Sequence, residues 1–403
     1  MKLLHTADLH LGKSLHESSL LDDQKIMLGQ IHDELGRDNY AALVISGDIY
    51  DRTVPPAEAV ELFSGFLVRI HQDFPDLEIC IIPGNHDSAQ RLSFADRILG
   101  TQHIHIISSP EQSLVPVIIV KNEEKLAIFL LPFLSAGTLK VSEKSPKSPS
   151  VSPEFDFSAP APSILISQSD LAAEASRRFS SVLATPELLG IPSVLVAHLF
   201  TQRGISSDSE RIFLGMAEQV NPDLFSRFSY VALGHLHRTQ KISDRMYYAG
   251  SPLAYAFDEA GISKQFLKVE IDCLSPGFPV AVTHVPVEPF RKVTRLSASF
   301  ADFYTGTTWD EHAADYLEFT LTDTELIANP MNLLRSKFPY LLSLKQGIAQ
   351  TDEGQTDDKT VSPGGLINPL DDFRRFEEML HGNAEEDRVE LFRELLKECT
   401  DEA

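Results

Sequence analysis

Four polar clusters, each at the end of an apolar run, hold side chains able to bind a metal ion or to move a proton. They comprise Asp8 and His10 in ADLHLG, Asp48 in SGDIYD, Asn85 with His86 in PGNHD, and His198, His235 and His237 in VAHLF and ALGHLH. Carboxylates, imidazoles and one carboxamide, without a thiolate, form a ligand set that suits manganese, iron or a catalytic zinc ion. There are enough of them for two ions that share a carboxylate, which is the usual arrangement for phosphoester cleavage.

The order of these clusters carries more weight than any one histidine, because the chain contains 14 histidines. The patterns Asp-x-His, Gly-Asp, Gly-Asn-His-Asp and Gly-His-x-His follow one another along the chain. In the first and last, alternate spacing places both side chains on one face of extended backbone. Gly47 allows a sharp turn that lifts the Asp48 carboxylate clear of its strand. Asp87, at the end of PGNHD, fits a turn cap or a supporting residue better than a ligand.

The elements that must position these clusters are short apolar strands. Predicted strands include KLLHT, AALVISGD, LEICIIPGN, LAIFLLPF, SVLVAHLF, YVALGHLH, MYYAGS and QFLKVEI. Amphipathic segments at residues 20–36 and 55–72 lie between the early strands and predict helices. This alternation predicts an α/β fold with largely buried strands, whose ends gather the polar side chains at one edge.

The chain is predicted to contain a main domain over residues 1–284, interrupted by a Ser-, Pro- and Lys-rich insertion at about 140–163. A small α+β domain is expected at 285–350 and a linker at 351–369. The tail, residues 370–403, contains two acidic amphipathic segments, in which Phe373, Phe376 and Leu380, and then Val389, Phe392 and Leu396, recur at helical spacing.

The composition constrains the environment and the partners. Lys and Arg total 35 against 58 Asp and Glu, a net charge of −23 that argues against a nucleic-acid partner unless bound divalent ions or a basic subunit supply positive charge. Three scattered cysteines favour a reducing cytoplasm. No apolar run is long enough to span a membrane.

The motifs DLH, GDIYD, GNHD and GHLH resemble those of the calcineurin-like metallophosphoesterase superfamily. HTADLHLG, SGDIYDRTVPP, PGNHDS, ALGHLHR and YAGSPLAYAFDEAG are similar to the SbcD family of bacterial nuclease subunits, over about residues 1–290. The resemblance implies a sandwich of two mixed β-sheets flanked by helices. It also implies a small capping domain over 285–350 and a helical tail that binds a partner.

The resemblance also implies a division of roles at the site. One metal would be held by Asp8, His10 and His237, the second by Asn85, His198 and His235, with Asp48 bridging them. A water activated between the ions would attack the phosphorus. His86 would act on the phosphate and the leaving oxygen. Asp51 is the candidate carboxylate partner of His86, and Arg52 is a candidate phosphate contact or a surface ion pair.

By the same resemblance, the chain is expected to be a manganese-dependent 3'–5' double-strand exonuclease and single-strand endonuclease that acts on DNA ends and hairpins in repair and recombination. The expected assembly is a homodimer, with Val60 to Ile70 as the candidate surface, joined to two SbcC-like coiled-coil ATPase subunits. Two alternatives remain open: a phosphatase or nucleotide phosphoesterase of the same fold, and a non-catalytic scaffold. Residues 7–14, ADLHLGKS, loosely match a nucleotide-binding loop, but Asp8 would repel the phosphates, so any ATP dependence is assigned to the partner.

Overall fold

The computed structural model describes residues 1–139, 165, 167–205, 219–346, 370, 373, 374, 377 and 386–401. The chain divides into two compact units, Met1–Ile348 and Ala349–Ala403. The predicted insertion at 140–163 and the predicted linker at 351–369 lie outside the described residues.

The described strands are numbered in chain order. They are β1 (Lys2–Thr6), β2 (Ser14–Leu15), β3 (Ser18–Ser19), β4 (Ala42–Ser46), β5 (Glu78–Ile82), β6 (Ile104–Ile106), β7 (Val117–Lys121), β8 (Glu124–Leu131), β9 (Ser193–His198), β10 (Tyr230–Gly234), β11 (Gln240–Ser243), β12 (Met246–Tyr248), β13 (Gln265–Ile271), β14 (Val280–Pro286), β15 (Val293–Ala298), β16 (Tyr316–Leu321) and β17 (Leu341–Gln346). The described α-helices are α1 (Leu21–Arg37), α2 (Ala57–Asp73), α3 (Ala89–Leu92), α4 (Asp96–Gly100), α5 (Gln168–Leu183), α6 (Phe300–Tyr304), α7 (Pro330–Arg335) and α8 (Glu386–Asp401).

Two six-stranded mixed sheets form the main body. The first has the order β14-β13-β1-β4-β5-β6, in which β1, β4, β5 and β6 are parallel and β13 and β14 are antiparallel. The second has the order β11-β12-β10-β9-β8-β7, with a parallel centre and an antiparallel strand at each edge. The predicted sandwich of two mixed sheets is therefore confirmed.

The sheets pack face to face through a fully apolar layer. Leu3 and Val44 of the first sheet belong to the same buried cluster as Ile128 and Val194 of the second. Burying each such side chain contributes about 1.5–3 kcal/mol relative to leaving it exposed. This layer fixes the separation of the two sheets, and thereby the distance between the loops that follow their strands.

Helices cover the outer faces of the sandwich. The buried residues of α1 include Met27, Leu28, Ile31 and Leu35, a helical repeat that packs on the first sheet. Helix α5 covers the second sheet, where Phe179 meets Phe129 edge-to-face. None of the described helices is long and apolar enough to cross a membrane.

The register of the parallel strands brings the polar clusters to one edge. Thr6 of β1 pairs with Ile45 of β4, and Ser46 pairs with Ile82 of β5. In the second sheet, Gly234 at the end of β10 pairs with His198 at the end of β9. All four clusters therefore emerge at the carboxyl ends of neighbouring strands.

A small parallel sheet, β15-β16-β17, has its own apolar cluster with α6 and α7. The rings of Phe303 and Phe319 stack at a centroid distance of 3.9 Å, and Phe338 meets Phe319 edge-on. Strand β14 of the first sheet ends at Pro286, close to the predicted start of the small domain at 285.

In the second unit, α8 lies where the last amphipathic segment was predicted. Residues Leu370, Phe373, Arg374 and Glu377 are also helical. The Phe373 ring stacks on Phe392 at 4.2 Å, and Arg388 pairs with Glu377 at 3.1 Å, so the two segments pack against each other. The side chains of Phe376, Leu380 and Leu396 lie outside the described residues.

Candidate dinuclear metal centre

The strand ends bring together the side chains that the sequence analysis predicted as metal ligands. These are Asp8, His10, Asp48, Asn85, His198, His235 and His237. Most of them are buried: Asp8 and His198 have no exposed surface, and Asp48 is 2 % exposed. The side chains form two groups, which meet at Asp48.

The first group is centred on two imidazoles. The Nε2 atoms of His10 and His237 lie 3.1 Å apart, and His10 Nε2 lies 3.7 Å from Asp48 Oδ2. The Asp8 carboxylate accepts the main-chain N–H of His235 at 2.9 Å, and this contact holds the loop after β10 against the loop after β1.

The second group is centred on the Asn85 carboxamide. Its Oδ1 atom lies 3.0 Å from His198 Nε2 and 2.9 Å from His235 Nδ1, and these two nitrogens are 3.2 Å apart. His198 Nε2 is also 3.4 Å from Asp48 Oδ2. The same Asp48 oxygen thus faces both groups.

This arrangement fits divalent metal ions. Three donor atoms lying about 3 Å from one another is the spacing expected around an ion with ligands at about 2.0–2.2 Å. Hydrogen bonds alone satisfy the cluster poorly, since His10 Nδ1 is buried without a hydrogen-bond partner among the described residues. The chemistry of the donor set therefore matches two ions that share Asp48.

The backbone is shaped to present these side chains. Asp8, His10, Asp48 and His235 all have positive φ angles, of 53°, 43°, 50° and 105°, which non-glycine residues rarely adopt. Main-chain hydrogen bonds hold two of them in place, from Asp8 N to Gly47 O and from His10 N to Asp48 O. Strained backbone of this kind is typical of functional sites.

Glycine is required where the loops approach most closely. A Cβ atom at Gly84 would overlap the Asp48 carboxylate, and one at Gly234 would overlap the Ser46 carbonyl oxygen. The glycines of PGNHD and ALGHLH therefore allow the contact between strand ends that assembles the two groups.

Burial and neighbouring charges divide the ligands by protonation state. Burial raises the pKa of Asp8 to about 7 and lowers the pKa of His10 to about 4 and of His235 to about 3. For His198, burial opposes the charged form, but the Asp48 carboxylate outweighs it and raises the pKa to about 9. A metal must therefore displace a proton from His198 to bind it.

Residues outside the predicted set hold the ligands in position. His198 Nδ1 donates to the Ser46 carbonyl oxygen at 2.9 Å, which directs Nε2 towards Asn85. Gln24 donates to His10 O at 2.7 Å and accepts from Gly12 N at 2.9 Å, fixing the turn after β1. Such contacts orient ligands and set their tautomers.

His86 lies beside the first group, with its ring 4.8 Å from that of His10. Its Nδ1 atom donates to the main-chain oxygen of Asp51 at 2.9 Å. The Asp51 carboxylate, the predicted partner of His86, instead accepts from Lys13 at 2.7 Å, although it lies within 4.8 Å of His86. Lys13 was not among the predicted site residues.

Arg52 lies at the outer rim of the site. Its side chain is 62 % exposed, and its guanidinium is 3.8 Å from the Asp51 carboxylate. This geometry is compatible with both predicted roles, a phosphate contact and a surface ion pair.

Comparison with known proteins agrees with this geometry. Residues 1–137 match the calcineurin-like phosphoesterase family model. The SbcD subunit of nuclease SbcCD from Staphylococcus epidermidis is 27% identical over 380 residues, covering 92% of this chain and 94% of the relative. Its counterpart from Staphylococcus saprophyticus is 28% identical over 350 residues, covering 85% and 84%. A solved structure, a dimetal phosphatase from Danio rerio, is 11% identical, covers 73% of this chain and 98% of that one, and has a TM-score of 0.37.

The chain thus carries a calcineurin-like metallophosphoesterase domain, which defines it as a phosphoester hydrolase that uses divalent metal ions. Along most of its length it is similar to SbcD, the nuclease component of SbcCD.

Proposed function

We propose that the chain is the nuclease subunit of an SbcCD-type complex and hydrolyses DNA phosphodiesters with two divalent ions. The observation that carries this proposal is the double donor cluster joined by Asp48 Oδ2, which lies 3.7 Å from His10 Nε2 and 3.4 Å from His198 Nε2. The similarity to two SbcD proteins over most of the chain supports DNA as the substrate.

In this proposal Asp8, His10 and His237 hold one ion, and Asn85, His198 and His235 hold the other. Asp48 is shared between them. Mixed carboxylate, imidazole and carboxamide ligands suit manganese, the metal we propose. When bound, the two ions activate a water for in-line attack and offset the charge on the phosphate oxygens.

His86 is proposed to protonate the leaving oxygen. Because its Nδ1 donates to Asp51 O at 2.9 Å, the ring is oriented and Nε2 is the atom that can deliver a proton. Lys13, paired with the Asp51 carboxylate, places a positive charge next to this group. The exposed Arg52 guanidinium is proposed to contact a phosphate of the substrate.

The proposed activities are 3'–5' exonuclease action on duplex ends and endonuclease action on single strands, including hairpins, in DNA repair and recombination. The net charge of −23 requires positive charge from elsewhere. Two divalent ions offset part of it locally. An SbcC-like ATPase would supply the rest, in a heterotetramer that the helical tail helps to hold together.

A homodimer surface is proposed on α2 and the residues after it. The apolar side chains of Val68, Phe94 and Ile98 are 53%, 82% and 70% exposed. They border or adjoin a groove of about 550 Å³ that is lined by Phe63, Leu67 and other apolar residues. Val60 to Ile70, the candidate from the sequence, forms one wall of this groove.

The proposed function is tested by incubating the purified chain, with and without its ATPase partner, with Mn²⁺ and linear duplex DNA. Shortening of the duplex that the Asp48→Ala variant cannot perform is the expected result. Brisk release of phosphate from a monoester without shortening of DNA would favour a phosphatase, the alternative suggested by the acidic surface. DNA degradation by Asp48→Ala would show that the assigned site is wrong.

A further inference from the structure

The segment YAGSPLAYAFDEAGISK, residues 248–264, packs beneath the first group of ligands, although none of its residues was predicted as a ligand. Tyr255 donates its hydroxyl to Leu9 O, between Asp8 and His10. The ring of Tyr255 meets His10 edge-on at 5.4 Å and His237 at 5.8 Å. The segment therefore contacts both imidazoles of the first group.

Glu259 faces the rear of the His237 ring. Its side chain is 2 % exposed, and its Oε1 atom lies 3.4 Å from His237 Nδ1, at the outer limit of a hydrogen bond. The opposite ring nitrogen, Nε2, lies 3.1 Å from His10 Nε2. One nitrogen of His237 therefore faces a carboxylate and the other faces the proposed metal position.

Lys264 holds Glu259 and the His237 backbone together. Its ammonium group forms an ion pair with Glu259 Oε2 and donates to His237 O at 3.0 Å and to Ser251 Oγ at 2.9 Å. Ser251 N also donates to His237 O at 3.1 Å. A single buried cluster thus fixes both the side chain and the main chain of His237.

The two groups of ligands are supported differently. His198, in the second group, is oriented by a neutral partner, the carbonyl oxygen of Ser46. His237, in the first group, is oriented by a carboxylate. A carboxylate partner fixes the Nδ1–H tautomer and makes Nε2 a stronger donor to a metal than a neutral partner does.

We propose that Glu259, held by Lys264, is a positioning residue for His237 and sets the affinity of the first metal position selectively. This inference rests on the ligand assignment of the proposed function. Glu259 touches neither substrate nor ion; it acts through the orientation and electron donation of the His237 ring.

The test is titration of the metal-free protein with Mn²⁺ by calorimetry, which resolves two binding events. Glu259→Gln keeps the size of the side chain but removes its charge, and should weaken one of the two events by about 10- to 100-fold while leaving the other unchanged. Lys264→Met should shift the same event in the same direction, and it carries the test should Glu259→Gln fail to fold.

Glu318→Gln is the matched control. Glu318 is also buried and ion-paired, to Arg295 at 2.7 Å and Lys345 at 2.9 Å, but it lies in the small sheet on β16. Its replacement should alter the thermal midpoint without changing either binding event. A purely structural role for Glu259 would give the same pattern and would overturn the inference.

His237→Ala separates this inference from the proposed function. Loss of one ion by His237→Ala, with two normal events in Glu259→Gln, would leave the ligand assignment standing and reject the role of Glu259. Two normal events in His237→Ala would reject the ligand assignment itself, and the inference with it.

Discussion

The Asp87 carboxylate accepts the main-chain N–H of Ile49 at 2.9 Å, and so joins the turn that carries Asn85 to the turn that carries Asp48. It also accepts the N–H groups of Tyr50 and Gly84, at 2.9 and 3.0 Å. Asp87 thus caps two turns at once, the role that the PGNHD pattern favoured over that of a ligand. The distance between the proposed bridge and the second metal position depends on this one side chain.

Replacing Asp87 with Ala should therefore destabilise the protein. Three buried N–H groups would lose their acceptor, which should lower the free energy of unfolding by about 2–4 kcal/mol. Urea denaturation measures this change. Asp272→Ala is a suitable control, because Asp272 also accepts two main-chain N–H groups, but at the surface, and its loss should have a smaller effect. Equal effects of the two substitutions would contradict the role given to Asp87.

The strand ends and their polar residues could be predicted from sequence, because apolar runs followed by Asp, Asn or His repeat visibly. The supporting contacts could not. Ser46 lies 152 residues from His198, and Lys13 lies 38 residues from Asp51, so only the folded chain reveals either pair. Lys13 also explains why Asp51 was a poor prediction as the carboxylate partner of His86: a nearby ammonium group engages that carboxylate first.

The antiparallel edges of the sheets were equally hidden. QFLKVEI was predicted as a strand, but nothing in its residues reveals that it pairs antiparallel to β1, where Leu3 lies opposite Val269. Such pairing is decided by the connections and by the apolar layer between the sheets. The small parallel sheet gave a weaker signal still, since its strands alternate exposed and buried residues over only six positions each.

His86→Ala should bind two Mn²⁺ ions normally but cleave DNA at least about 100-fold more slowly, because a proton donor is lost while the proposed ligands remain. Calorimetry and a duplex-shortening assay measure the two properties separately. His105→Ala, which removes a histidine paired with Glu78 away from the site, should change neither. Loss of metal binding in His86→Ala would indicate that this ring is a ligand instead.

Metal binding should release a proton at a pH between 7 and 9. Asp48 raises the pKa of His198 to about 9, so the ring is protonated below that pH and must become neutral to bind an ion. The affinity of the second position should therefore fall about tenfold for each unit that the pH falls below 9. The first position should weaken only below about pH 7, where the buried Asp8 is also protonated.

The measurement is calorimetric titration in two buffers of different ionisation enthalpy. The difference between them gives the number of protons released for each ion. His198→Asn should abolish release at the second position. Identical proton release for both ions would contradict the unequal protonation of the two groups.

Phe94→Glu combined with Val68→Glu should convert a homodimer into a monomer, because two charges would be buried in an apolar interface. Light scattering coupled to size-exclusion chromatography measures the mass. Val115→Glu, a change at an apolar side chain that is 74% exposed outside the groove, is the control and should leave the dimer intact. A wild-type chain that is monomeric at all concentrations would remove the basis for this prediction.

The left-handed backbone at Asp8, His10, Asp48 and His235 has a consequence for how the centre is used. Each such residue costs about 1–2 kcal/mol, and this cost is met by packing and hydrogen bonds within the apo fold. The cage therefore exists before its contents arrive. A chelator should empty it without unfolding the chain, and reloading should need no refolding, so the ions can exchange freely during the lifetime of a single molecule.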